Sequence, residues 1–144
     1  MPVRSAEAEW KGNLLEGSGH MKIGKSYDGP FTFKSRMEEG PGTNPEELIA
    51  AAHSGCFSMA FSATLAKAGF APKRVHTKAL VHFEKVGDGF AITSIDLATE
   101  AEVPRIENAK FQELAEGAKK GCPVSKALAG TQINLKANLV QAAP

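Results

Sequence analysis

Two periods of hydrophobic residues run along this chain, and the points where one gives way to the other divide it into elements. The N-terminal third has period two. Its stretches AEAEWKG, GHMKIGKS and PFTFKSR, the last with Phe31 and Phe33 alternating with polar residues, read as short strands folded into hairpins. A turn-rich segment, EEGPGTN, ends that pattern. Asn44 then suits a helix N-cap, Pro45 suits the first helical position, and Glu47 stands three residues after Asn44, as in a capping box. The helix predicted here continues to about Lys67, with Gly69 placed to end it and Pro72 just beyond. Leu48, Ile49, Ala50, Phe57, Met59, Phe61 and Leu65 occupy nearly every side of it, so it is expected to be enclosed rather than laid on a surface.

Period two then returns. In VHTKALVHF the residues Val75, Thr77, Ala79, Val81 and Phe83 alternate with polar ones, and Gly87-Asp88-Gly89 turns the chain into FAITSIDLATEAEV. Phe90 and Ile92 share one phase and Ile95 and Leu97 the other, which places a bulge near Thr93 or Ser94. A second helix is predicted from about Ile106 to Lys120, packed against the first, with Gly121 as its stop. CPVSKALAG makes a short third helix with Cys122 at the N-cap and Pro123 at its first position, and TQINLKANLV closes the chain as an alternating strand. The order of three strands, a long helix, two strands, two helices and one strand predicts an α+β fold with mainly antiparallel pairing. No repeat or linker interrupts it, so residues 1–144 are expected to form a single domain.

Composition narrows the partners more than the chemistry. A formal charge of +1 on 144 residues, with no basic stripe or acidic tail, argues against nucleic acid and anionic membranes. The N-terminus lacks the apolar core of a signal peptide, and no apolar run approaches the roughly 20 residues that span a bilayer, so a cytoplasmic protein is expected. Two cysteines are too few for a disulfide scaffold; in a reducing compartment a bond between them would be transient and catalytic.

Helix position alone favours Cys122 as the reactive thiol, because unpaired N–H groups and the positive helix end stabilise a thiolate. Cys56, inside the apolar helix, should be inert unless a cation is brought to it, and packing explains it equally well. His53 lies one turn before Cys56 on the same face, the spacing of a metal-ligand or Cys-His pair. A zinc site lacks a third and fourth ligand, and a Cys-His hydrolase lacks an orienting group. Arg36 reads as a solvated strand-end residue, and Glu46 and Glu47 as carboxylates favoured in a first helical turn.

The stretch GTNPEELIAAAHSGCFSMA, followed by GCPVSKAL with its cysteine 66 residues after the first, resembles the OsmC/Ohr family of osmotically inducible and organic hydroperoxide resistance proteins. FTFKSR, AGFAPKRV and GFAITSIDL also fit, so the resemblance covers nearly the whole chain, and His53 in AAHSGCF is similar to the OsmC branch. The resemblance implies a thiol-dependent peroxidase that reduces organic hydroperoxides and is recycled by a dithiol. It implies that Cys56 is the peroxidatic cysteine and Cys122 the resolving one, that Arg36 is the cation holding Cys56 as thiolate, and that Glu46 is the carboxylate orienting Arg36. None of the four positions departs from the pattern, and no cofactor or metal enters the scheme. The implied fold is an intertwined homodimer in which antiparallel sheets enclose the long central helices, with active sites at the subunit interface. On a continuous helix the ten residues from Glu46 to Cys56 rise about 15 Å, so Glu46 is expected to act across that interface. Two rivals are a Cys-His hydrolase or acyltransferase using Cys56 and His53, and a redox-sensing module without turnover.

Overall fold

Thr32 determines where the N-terminal hairpins stop. In the computed structural model, which describes residues 2–140, the strands β1 (Ala6–Lys11), β2 (Ser18–Ile23) and β3 (Tyr27–Phe31) form an antiparallel sheet in that order. Gly19 in the middle strand pairs with Trp10 on one side and Phe31 on the other. The two rings meet across it with centroids 5.2 Å apart. A Cβ on residue 19 would fall 2.7 Å from the Phe31 ring and 2.8 Å from that of Trp10, so only glycine lets this aromatic pair close over the sheet.

The third strand, read from the sequence as continuing through Phe33 to Arg36, ends at Phe31 instead. Thr32 caps a short helix, α1 (Phe33–Met37): its hydroxyl accepts the Ser35 N–H at 3.1 Å, and the Ser35 hydroxyl accepts the Thr32 N–H at 2.9 Å. This is a capping box with serine at the third helical position, and it outweighs one pair of alternating phenylalanines. Ser35, itself buried, also donates its hydroxyl to the Thr43 carbonyl at 2.8 Å. Arg36 therefore stands on a helical turn, not at a strand end.

The long helix α2 (Pro45–Lys67) has the boundaries the sequence predicts. At its start Asn44 Oδ1 accepts the Glu47 N–H at 2.8 Å, while Asn44 Nδ2 donates to Glu47 Oε1 at 2.7 Å and to the Ser35 carbonyl at 3.0 Å. Glu47 thus closes the box through the Asn44 side chain. At the other end Gly69 takes φ 94°, and the N–H groups of Phe70 and Gly69 return to the carbonyls of Leu65 and Ala66 at 3.0 Å each. That pair of bonds is a Schellman ending, which needs a left-handed residue.

The chain divides into two compact units between Leu48 and Ile49. In the second, β4 (Arg74–Val86) and β5 (Gly89–Glu102) form a long hairpin, and β6 (Gln132–Val140) pairs with β5. His82 faces Ser94 and Phe83 faces Ile92, leaving Thr93 as the extra residue of the predicted bulge. The β5–β6 pairing is parallel, the one exception among the described strands to antiparallel order. A parallel partner needs a crossover, and here it is built from α3 (Asn108–Gly121) and α4 (Pro123–Ala127).

Residues His53, Phe57, Phe61 and Leu65, four apart along α2, are fully buried, and Ile95, Leu97, Thr99 and Ala101 fill the alternate positions of β5. Phe61 touches both Phe57 and Phe111, at centroid distances of 5.6 and 5.2 Å, so α3 packs against α2 as expected. Each of these phenylalanines and leucines is worth about 1.5–3 kcal/mol of burial. The reverse face of α2, along Ala52, Gly55, Met59, Ala63 and Ala66, is exposed, Met59 at 77%. The single chain encloses only one side of this helix, contrary to the sequence-based expectation. By length and composition α2 also reaches the threshold for a membrane span, which corrects the expectation that no apolar run would; its packed face belongs to the core just described.

Candidate active site

The core fixes both cysteines through their neighbours in the chain. Cys56 precedes the buried Phe57 on α2, and Cys122 follows the buried Ala118 by one turn. The Cys122 N–H closes α3 on the Ala118 carbonyl at 2.9 Å, and its own carbonyl opens α4 by accepting from Lys126 at 3.0 Å. Cys122 is thus a hinge residue shared by two helices, the N-cap position the sequence assigns to it. The two sulfurs stand 2.9 Å apart and are not bonded. Only about 0.9 Å separates them from the length of a disulfide. Cys122 is fully buried, while Cys56 is partly exposed.

The two thiols titrate as a pair that shares one hydrogen bond. Burial pushes Cys56 up, the hydrogen bond and charge of Cys122 push it further, and the Val124 N–H only partly opposes them. Burial also pushes Cys122 up, while the neighbouring Cys56 sulfur and the polar groups of Ser125 and Val124 bring it below the ordinary thiol value. The directions of the two shifts favour the thiolate on Cys122, as helix position does in the sequence.

His53 does not pair with Cys56. It is fully buried on α2, its Nε2 lies 2.8 Å from Ser125 Oγ, and its Nδ1 has no hydrogen-bond partner among the described residues. Burial holds its pKa below the ordinary histidine value, so the ring is neutral at pH 7. Ser125 thereby touches His53, and it stands three residues after Cys122. Sequence reading missed Ser125: it stands 72 residues from His53, and its only signal is its place three residues after a cysteine N-cap. His20 and His82 lie on strands and face Asp28 and Asp96 at 3.3 and 2.7 Å.

In the N-terminal unit, Arg36 and Glu46 form a two-pronged pair. Nε donates to Oε1 at 2.9 Å and Nη2 to Oε2 at 3.1 Å. The Glu46 side chain is only 9% exposed against 42% for Arg36. The carboxylate is the fixed member and the guanidinium the presented one. Two contacts set this geometry: the α1 capping box turns Arg36 toward the start of α2, and Asn44 ties that start to the Ser35 carbonyl. Gly42, with φ 109°, completes the loop where a Cβ would lie 2.6 Å from the Pro30 carbonyl oxygen.

The model of the family described as OsmC-like protein matches residues 38–137. Peroxiredoxin OsmC of Escherichia coli (strain K12) is 45% identical over 127 residues, covering 87% of this chain and 89% of that one. An organic hydroperoxide resistance protein of Xanthomonas axonopodis pv. citri is 34% identical over 92 residues, 63% of each chain. In structure, the organic hydroperoxide resistance protein OhrB of Bacillus subtilis superposes with a TM-score of 0.68 at 25% identity, over 94% of this chain and 98% of that one. The chain belongs to the OsmC-like protein family, on its OsmC branch.

Proposed function

We propose that this protein is a thiol-dependent peroxidase that reduces organic hydroperoxides to alcohols, with Cys56 as the peroxidatic and Cys122 as the resolving cysteine. The observation that carries the reading is the pair of unbonded sulfurs 2.9 Å apart, one partly exposed and one buried. The names of the Escherichia coli and Xanthomonas relatives support the same chemistry. The Cys56 thiolate attacks one peroxide oxygen; the O–O bond breaks, and the leaving alkoxide takes a proton to become the alcohol. The resulting sulfenic acid meets the Cys122 sulfur, which displaces hydroxide as water and closes the disulfide. A dithiol reductant reopens it by exchange.

Access and electrostatics rank the cysteines in opposite orders, and this defines the part proposed for Arg36. Only Cys56 is open to a substrate, yet within its unit burial and its neighbours push Cys56 up while the neighbours of Cys122 bring that thiol down. A cation brought to Cys56 reverses the second ranking. Arg36 oriented by Glu46 is the proposed cation, its planar fork serving the carboxylate and the sulfur together.

We further propose a homodimer, with Glu46 acting across the interface and the exposed apolar face of α2 covered by a second copy. Glu46 and Cys56 are ten residues apart on one helix, which supports contributions from two chains. The family match runs through the boundary between the two units, which supports a single domain over residues 1–144. Two cysteines, too few for a disulfide scaffold, suit the cytoplasm. Neither a membrane nor a nucleic acid is needed. A hydrolase reading is not favoured, because neither nitrogen of His53 reaches Cys56.

Consumption of cumene hydroperoxide with dithiothreitol tests the function. Many turnovers are expected of the native protein, none of Cys56→Ser, and one oxidation without recycling of Cys122→Ser; normal turnover by Cys56→Ser would overturn the assignment, and a native protein that stops after one equivalent would be a sensor. Arg36→Ala is expected to slow attack at pH 7 by tenfold or more, about a factor of ten for each pH unit that Cys56 rises, with Arg36→Lys less affected. An unaltered pH dependence of Cys56 alkylation in Arg36→Ala would remove Arg36 from the site. Mixed dimers of Cys56→Ser and Glu46→Ala chains, each inactive alone, are expected to regain activity; no recovery in demonstrated heterodimers would return Glu46 to its own subunit.

A further inference from the structure

The segment that presents Cys122 is short and lightly anchored. α4 has five residues, too few to hold a helical shape alone, and Ser125 is its one buried residue, with Val124 and Leu128 only partly covered where they pack on the core. Ser125 occupies the third helical position, as Ser35 does in α1, but it does not turn back on its own N-cap. Its hydroxyl reaches across to α2 instead, 2.8 Å from His53 Nε2. Both partners are buried, His53 completely. An apolar pair of the same shape would pack there without desolvating two polar groups. It would not fix a position, since apolar contacts tolerate sliding and a hydrogen bond keeps its length in one register only.

That register is the one the sulfurs need. His53 stands three residues before Cys56 and Ser125 three residues after Cys122, so the contacts 53–125 and 56–122 are successive rungs between α2 and the α4 segment, about one helical turn apart. We infer that the His53–Ser125 hydrogen bond is the latch that holds Cys122 against Cys56, which makes His53 and Ser125 positioning residues for the step in which Cys122 resolves the Cys56 sulfenic acid. The sulfur rung is a weak thiol-to-thiol contact, and oxidation of Cys56 alters it. The His53–Ser125 rung involves neither sulfur and outlasts that change. In the resolving step the Cys122 sulfur bonds to the Cys56 sulfur, the S–O bond breaks, and the oxygen leaves with the thiol proton as water. A slide of α4 along α2 by one residue is about 1.5 Å, set against a gap of 2.9 Å between the sulfurs. Such a slide would leave the sulfenic acid standing for a second peroxide to oxidise to sulfinic acid. The inference rests on the peroxidase reading for this step only, because the two rungs hold the reduced thiols together whatever oxidises them.

The first measurement needs no peroxide. Equilibration with mixtures of reduced and oxidised dithiothreitol gives the tendency of Cys56 and Cys122 to join. Ser125→Ala and His53→Phe are each expected to move that equilibrium toward the dithiol by about tenfold, the order of one net hydrogen bond. His53→Gln, whose amide can serve the same hydroxyl, is expected to stay near the parent. In rapid mixing with cumene hydroperoxide, the burst that oxidises Cys56 is expected to be unaltered in Ser125→Ala and His53→Phe, while closure of the disulfide slows by a similar factor and sulfinic acid accumulates on Cys56. If the native protein does not react with the peroxide, the peroxidase reading fails and the dithiothreitol equilibrium still decides the latch. An equilibrium unmoved in Ser125→Ala would overturn the inference even if His53→Phe does not fold. So would burst and closure slowed together, which is loss of structure rather than of position, or a His53→Gln variant as impaired as His53→Phe.

Discussion

Two sulfurs 2.9 Å apart cannot both be charged, and this constraint organises the chemistry of the chain. A thiolate on one makes a thiolate on its neighbour costly, so whatever donates to one sulfur sets the protonation of both. The fold brings them together by packing rather than by a bond. Phe57, Phe61 and Phe111 dock α2 on α3, and Cys122 sits where α3 stops and α4 starts. The distance is therefore held by a core that exists before any oxidation occurs.

In the proposed scheme each sulfur has its own polar support, built in a different unit. Cys122 has the first turn of α4, with Val124 and Ser125, beside it. The support proposed for Cys56 is the guanidinium of Arg36, held by a carboxylate that is itself almost wholly buried. Fixed donors of this kind let one fold use the same two sulfurs in turn, first as attacker and resolver and then as acceptor and leaving group.

Much of this was legible in the sequence, for physical reasons that can be named. Long elements with sustained periods were found with nearly their full extents, as in α2 and β5, and even the bulge at Thr93 follows from the phase change between Ile92 and Ile95. The error at Phe33 has a local cause: a two-residue alternation carries less information than the hydroxyl pair Thr32 and Ser35, whose capping geometry is cheap to form and easy to overlook. The enclosure expected for α2 failed because composition says which faces are apolar but not which chain covers them. The cysteines were found, but their order of reactivity rested on family resemblance, since position in a helix favours Cys122. Ser125 was not legible at all: a hydrogen bond spanning 72 residues leaves no periodic trace.

The central claim is that the two sulfurs form one redox unit within a single chain. Peptide mass spectrometry after one equivalent of cumene hydroperoxide, without reductant, tests it most directly. The account predicts a near-stoichiometric intrachain disulfide between Cys56 and Cys122, with no overoxidation of either. Cys56 trapped as a sulfinic acid beside an untouched Cys122 thiol, or disulfides found only between chains, would contradict it.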